Sequence, residues 1–411
     1  MISKIKYEYL LFIFALAWVL FFSFVLQLMP YFSTTSDDAS YLLAAKLLYF
    51  EHKPDGIRPF LIAAIFGLPY FFKLSDNAVI HWGFFVNFCC WFLTILFLFK
   101  IIVTITNSRK KAFIYSLLFV FLIGNLAPAF RFLSESIFVF IVVLAIYFVS
   151  KYYANNDAKY LTIAISILIL NALVKPISIG IAFIFIIFYI SKIKNIVFNR
   201  YGFLLIFSLF LLLFQFKSMK KEYGDFTISY IGDVTYFNYL GAKAHCFRKN
   251  IEFFPCRNTR TSEALHLNFH DNKILSFLDM KEQLSNNKSN LVKAFLSNIY
   301  SNTEKGNVIV SQCKNVNQTS YFDFFQFAFK VISKLQNIIF TIATILFSFY
   351  FLWFERQNKY YLLMSIFTLY IFFVSAISCC EGDRFHIVFF PVLVIFLSKF
   401  KIKNPFAKPA F

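Results

Sequence analysis

Two aspartates, Asp37 and Asp38, stand side by side a few residues beyond the first long apolar run. A neighbouring like charge tends to raise a carboxyl pKa. One of the pair can then act as a base while the other orients a partner or binds a cation. Four cations stand at comparable places: Arg58 before Pro59, Arg131 ahead of Glu135, Lys175 before Pro176, and Arg384 behind Glu381 and Asp383. Each lies close to the end of an apolar run. Charges at membrane depth are costly and are usually paired or functional. Lys46, Lys53 and Lys73 read instead as interfacial anchors or simple ion pairs.

The elements that must position these groups are membrane helices. The chain is 59% hydrophobic and only 15% charged, with a mean hydropathy of +0.67. A soluble chain would carry more charge. The 62 Phe read as AT-rich codon usage, with no function attached. A span needs about 20 apolar residues. Runs near 9–29, 79–104, 112–128, 134–150, 160–174, 177–191, 201–216, 333–353, 360–378 and 386–399 predict about ten spans in an all-α polytopic bundle. The pair around Lys175-Pro176 reads as two short helices or one broken re-entrant unit, because Pro removes a helix hydrogen bond. The first run follows Lys4 and Lys6 but precedes no small-residue cleavage site, so it reads as an uncleaved helix.

The net charge of +19 sits in short loops. Lys4, Lys6, Arg109, Lys110, Lys111, Lys151, Lys159, Lys192, Lys194, Arg200, Arg356, Lys359 and Lys399 to Lys408 fall on one side. The positive-inside rule makes that side, and both termini, cytoplasmic. No basic patch with base-stacking aromatics stands outside the runs, so nucleic acid is not an expected partner. The outer side then holds 30–78, 128–133, the Lys175 turn, 217–332 and 379–385. Three regions result: an N-terminal membrane module over 1–216 whose first external loop is 30–78, a small polar external cap over 217–332, and C-terminal helices with a basic tail over 333–411. Residues 38–50 and 59–73 suit helices lying along the interface.

On this topology Arg58, Arg131, Lys175 and Arg384 share the side where basic residues are disfavoured. That points to a bound anion, and Arg matches phosphate geometry. A carboxylate facing a phosphate-binding group at a water–lipid boundary is what transfer from a lipid-linked phosphate donor needs. Other candidates carry less. Cys246 and Cys256 lie ten residues apart and are a plausible disulfide or two free thiols. His266 and His270 would share a helix face if that stretch is helical, but the intervening residues lack the Glu of a zinc-protease motif. No metal site is read from the spacing. Asn287-Lys288-Ser289 and Asn317-Gln318-Thr319 fit a glycosylation pattern by chance, and His386 reads as packed.

The stretches SDDASYLLAAKLLYF and DGIRPFLIAAIFGLPYFFKL, followed in order by FLSESIFVF, ALVKPIS and GDRFHIVFFPVL, resemble the GT-C glycosyltransferases. The likeness is to the class of protein O-mannosyltransferases and lipid A aminoarabinose transferases. It covers most of 1–215 and 330–399. It departs from the pattern at Arg58-Pro59-Phe60, which has one Pro where two are common, and at Phe385, where Tyr is common. The resemblance implies Asp37 as general base, with Asp38 as its partner or as the base itself. It implies Arg58, Lys175 and Arg384 against a donor phosphate, and Tyr41, Arg131 and Glu135 as substrate-positioning residues. The implied reaction inverts the sugar of a polyprenyl-phosphate donor and passes it to a cell-surface glycan such as O-antigen or lipid A, or to a protein. No cofactor is required, although the acidic pair leaves room for a divalent metal. The implied place is a bacterial inner membrane, with the site on the periplasmic or outer face. An O-antigen polymerase or ligase would centre on external Arg residues without the acidic pair. A transporter or flippase would bury charges at mid-span and show related halves.

Overall fold

The computed structural model describes residues 6–33, 37–255, 260, 266–379 and 381–400. The main helices are α1 (Tyr7–Leu26), α2 (Asp37–Lys46), α3 (Phe60–Phe71), α4 (Asp76–Thr106), α5 (Arg109–Val120), α6 (Glu135–Asn155), α7 (Lys159–Ala172), α8 (Ser178–Phe188), α9 (Gly202–Tyr223), α10 (Phe269–Asn286), α11 (Lys288–Glu304), α12 (Phe322–Phe354), α13 (Lys359–Ser375) and α14 (Phe390–Lys399). Shorter helices fill the turns. Among the described residues there is no strand, and one isolated parallel bridge joins Tyr31 to Arg131. An all-helical build follows from long apolar runs, which without water must satisfy their backbone groups internally.

Five helices are long and apolar enough to cross a membrane: α1, α4, α6, α9 and α12. Two bent pairs raise the number to seven if each is one span. In one, α5 turns by 74° into Ile123–Phe130; in the other, α8 turns by 69° into Ile190–Val197. α7, α13 and α14 are apolar but shorter. Each of the ten apolar runs therefore appears as a helix or a bent pair, but only part of that set has the length of a full span. The Lys175-Pro176 break separates α7 from α8, as Pro requires.

Local chemistry sets the ends. Ser108 accepts from the Lys111 N–H to cap α5, and Asn358 caps α13 through the Tyr361 N–H. Gly224 closes α9 in the left-handed region at φ 89°. The expected interfacial helices of the first loop are α2, which continues as a wider turn over Leu47–Glu51, and α3. Two expected boundaries fall inside helices. α9 runs on through Lys217 to Tyr223, and α12 starts at Phe322, ahead of the apolar run that announced it. Amphipathic first and last turns carry a helix past the end of its apolar stretch, which a hydropathy window cannot see.

One core runs through the bundle, with α4 packed against α5 and α6, and α6 against α7. α12 buries a polar seam of Ser333, Asn337, Thr341, Thr344 and Ser348 beside Phe322, Phe329 and Phe351, and exposes Leu335, Ile339, Ile342, Leu346 and Phe349. His386 is packed at this seam, its Nδ1 2.9 Å from Thr341 Oγ1.

Candidate functional site

The Asp37 carboxylate accepts from two guanidiniums brought from opposite ends of the chain. Arg58 Nη2 donates to Oδ1 at 2.7 Å, and Arg384 Nη2 donates to Oδ2 at 2.6 Å. Two local devices aim Arg58. Asp55 Oδ1 accepts from the N–H groups of Ile57 and Arg58, closing a tight turn. Pro59 then starts α3 at its own fixed φ of −64°. The turn is also pinned from outside, by the Tyr230 N–H on Gly56 O and Ser229 Oγ on Ile57 O. A Cβ on Gly56 would stand 2.4 Å from the Phe269 ring, so a larger residue there would have to displace that ring.

Tyr41 stands one turn along α2 from Asp37. Its ring lies under the Arg58 guanidinium, 4.1 Å from the centroid. Arg58 Nη1 also donates to the Tyr41 hydroxyl at 3.2 Å and Arg58 Nε to Ser40 Oγ at 2.8 Å. The Tyr41 hydroxyl reaches Ser134 Oγ at 2.6 Å. Neither Ser40 nor Ser134 stands out in the sequence, because a lone serine carries no spacing signal.

Arg384 is surrounded by carboxylates. Besides Asp37, it donates through Nε to Glu135 and through Nη1 to Glu381, the latter at 3.1 Å. Lys175 Nζ donates to the same Glu135 oxygen at 2.8 Å. The other oxygen, Oε2, is buried with no hydrogen-bond partner among the described residues, beside a small cavity also lined by Trp91, Asn125 and Ser136. Thus Asp37, Tyr41, Arg58, Glu135, Lys175 and Arg384 meet in one cluster, with Glu381 joining them.

Asp38 faces the other way. It is fully buried, and its Oδ2 accepts from the Ser33 N–H at 2.8 Å and from Arg131 Nε at 3.0 Å. Arg131 is itself held by its backbone: its carbonyl accepts from Asn87 Nδ2 at 2.8 Å, and its guanidinium lies 5.7 Å from the Tyr31 ring. Asp38 and Arg131 form a second layer behind the cluster.

The electrostatics divide the two aspartates. Burial raises the Asp37 pKa, but Arg384 and Arg58 outweigh it and hold the carboxyl well below the usual range. Burial raises the Asp38 pKa, and there the Ser33 N–H and Arg131 do not offset it. The cluster is also not basic, as the sequence suggested. Arg58, Lys175 and Arg384 are matched by Asp37, Glu135 and Glu381, and Arg131 by Asp38. An anion that enters must take these cations from carboxylates.

Among the described residues no three His, Cys, Asp or Glu groups converge to hold a metal ion. The carboxylates of the cluster are turned onto cations instead. His270 contacts Asp225 at 2.8 Å, in a surface ion pair with Lys273. Cys246 is a buried thiol; Cys256, its expected disulfide partner, lies outside the described residues. The Asn287 amide is buried and donates to Ala244 O, so it is in internal use.

No protein-family model matches the chain, and no curated protein matches it. The fold is similar to a solved structure of the archaeal oligosaccharyltransferase AglB from Archaeoglobus fulgidus, in complex with an inhibitory peptide and a dolichol-phosphate. The two are 14% identical with a TM-score of 0.45, over 95% of this chain and 50% of that one. The chain therefore spans about half the length of that structure. A likeness of this extent carries no argument about chemistry, which has to come from the side chains.

Proposed function

We propose that this chain is a membrane glycosyltransferase of the GT-C kind, moving a sugar from a polyprenyl-phosphate donor to an acceptor hydroxyl. The observation that carries the reading is the Asp37 carboxylate, partly open to solvent and held between Arg58 and Arg384 at the rim of a helix bundle. A donor phosphate at the rim competes with Asp37 for both guanidiniums, which suit its oxygens as fork donors. When the phosphate takes them, Asp37 loses the charges that depress its pKa and becomes a better base. It then takes the proton of the acceptor hydroxyl. The acceptor oxygen forms its bond to the anomeric carbon as the bond from that carbon to the phosphate oxygen breaks. The electron pair leaves with the polyprenyl phosphate, whose charge Arg58 and Arg384 neutralise, and the anomeric centre inverts.

Other side chains keep the geometry. Glu135 holds Lys175 and Arg384 at one level, and Tyr41 supports the Arg58 guanidinium from below. Asp38 and Arg131 anchor the first loop on the segment between α5 and α6. Among the buried charges, Asp38, Arg131, Glu135 and Asp383 stand at helix ends or in turns, which favours a rim-facing enzyme over a transporter with mid-span charges.

The test is transfer of a radiolabelled sugar from polyprenyl-phosphate donors to glycan, lipid and protein acceptors by the purified protein. Transfer that is lost in Asp37→Asn and in Arg384→Gln supports the reading. Unchanged transfer in Asp37→Asn removes Asp37 as the base.

A further inference from the structure

The segment expected to form a polar cap is built inside out. Along α10 and α11 the buried positions are Asn272, Ser276, Gln283, Asn298 and Asn302, with Ala294 the one apolar exception among the fully buried helix positions. The exposed positions include Ile274, Phe277, Leu278, Leu284, Val292 and Leu296. Gln283 and Asn298 are 0% exposed, whereas Phe277 and Leu296 are each 59% exposed. A helix pair facing water has the opposite pattern. Lys281, Lys288 and Lys293 lie among the exposed residues, on stems long enough to reach a polar boundary from an apolar face.

Much of the polar face is hydrogen-bonded inside the protein, although Asn272 Oδ1 and Asn302 Oδ1 are buried with no hydrogen-bond partner among the described residues. Lys243 Nζ donates to Asn298 Oδ1 at 3.0 Å, and Asn298 Nδ2 donates to Ala376 O at 2.9 Å. Asn302 Nδ2 donates to the carbonyls of Ser375 and Ser378, both at 3.0 Å. These asparagines satisfy the carbonyls at the end of α13, which have no partner within that helix. α11 also packs on α12, where Asn337 Nδ2 donates to Asn302 O at 2.7 Å and Lys305 O at 2.7 Å. α12 is one of the long apolar helices, with its own Phe327, Leu335 and Ile339 exposed. The hairpin thus packs on a long helix that exposes an apolar face of its own.

We infer that α10 and α11 form a hairpin seated in the headgroup–acyl boundary of the bilayer, with Ile274, Phe277, Leu278, Leu284, Val292 and Leu296 in contact with lipid and its asparagine face turned into the protein. Such a boundary accepts an apolar face flanked by lysines. The hairpin touches both loops that carry the guanidiniums. Phe269, at the start of α10, closes on Gly56 in the Arg58 turn. Beyond α11, Asn307 Nδ2 donates to Asp383 Oδ1 at 3.0 Å, next to Arg384. Seating the hairpin in lipid therefore fixes the depth at which Arg58 and Arg384 meet the membrane rim. The inference does not depend on the transferase reading.

The experiment uses the full-length protein in nanodiscs containing a phospholipid with a diazirine in its acyl chain. After illumination, lipid adducts are mapped by peptide mass spectrometry, with the exposed α12 residues Phe349 and Phe354 as internal controls. The expected result is adducts at Phe277, Leu284 and Leu296 and none at Ser276, Gln283 or Asn298. A hairpin without adducts while α12 is labelled overturns the inference. Protein–protein cross-links between two hairpins in place of lipid adducts overturn it as well, since they would make a second copy the occupant. In the variant carrying both Phe277→Asp and Leu296→Asp, hairpin adducts should be lost while those on α12 persist; undiminished hairpin adducts count against the seating.

Discussion

Asp37 and Asp38 are consecutive residues on the first turn of one helix, yet they belong to two regions of different physics. Asp37 is partly exposed, between two guanidiniums carried by separate loops. Asp38 lies in a sealed layer, tied to Arg131 and to the Ser33 N–H. The same division recurs at the other end of the chain. Arg384 reaches the rim, while its neighbour Asp383 is buried against Asn307 and Gly124, where a Cβ would stand 2.2 Å from the Asp383 Oδ2. In both places one residue is partly exposed and the next is buried against internal partners. A rim pair can exchange partners because water and ligand replace what is lost. A sealed pair cannot, because a bare buried charge has no substitute partner.

The comparison can be broken by substitution on either side of it. The largest effect belongs at the rim: Asp37→Asn should slow sugar transfer by about 10²–10⁴-fold, the usual contribution of a general base. Its thermal stability should fall by the contribution of the Asp37 charge to the two ion pairs while the protein still folds, and a collapse of the fold would move Asp37 into the sealed class. In the sealed layer, Arg131→Ala should destabilise by about 3–5 kcal/mol in denaturant unfolding, by stranding a buried carboxylate. Replacing both partners, as Asp38→Leu with Arg131→Met, should recover much of that loss. A double variant no better than Arg131→Ala would show that the pair itself matters beyond satisfying its charges.

Acidity separates the regions next. Burial pushes the Asp383 carboxyl up from 3.8 to about 7. A raised folded-state pKa contributes stability that is full below the unfolded value and is lost as pH rises through the folded one. Thermal stability should therefore fall between about pH 4 and pH 7, with a slope of at most about 1.4 kcal/mol per pH unit. Asp383→Asn should flatten that dependence; an unchanged slope would place the titration elsewhere. Asp37 has the opposite sign, since its lowered pKa gives stability that is present above 3.8 and lost as pH falls through the depressed value. The smallest effect is expected for Tyr41→Phe, which removes one hydroxyl bonded to Ser134 and Arg58 and should cost about 0.5–1.5 kcal/mol of stability. A much larger loss would make Tyr41 part of the sealed layer.

Much of this arrangement was legible in the sequence. The apolar runs become helices, the break at Lys175-Pro176 is real, and Asp37, Arg58, Lys175, Glu135 and Arg384 do meet. They could be found because a charge beside an apolar run is costly enough to need a reason. What stayed hidden depended on direction. Nothing in the string Asp37-Asp38 says which carboxylate faces the rim, since that is decided by Arg131, 93 residues away. Spacing also could not show that the cations come with matching carboxylates. The polar residues of 269–304 suggested an aqueous cap because composition counts side chains without their orientation. Asn298 and Asn302 face inward only because the end of α13 supplies carbonyls for them.

In the proposed reaction Asp37 occupies the guanidiniums that a donor phosphate must take. The direct measurement is the affinity for polyprenyl phosphate, without sugar, of the parent protein, Asp37→Asn and Arg384→Gln in the same nanodiscs. Removing the competing carboxylate should tighten binding in Asp37→Asn by up to about tenfold, about 1.4 kcal/mol, while Arg384→Gln weakens it. Weaker binding in Asp37→Asn, in step with Arg384→Gln, would contradict the exchange and make the Asp37 cluster a structural ion-pair network.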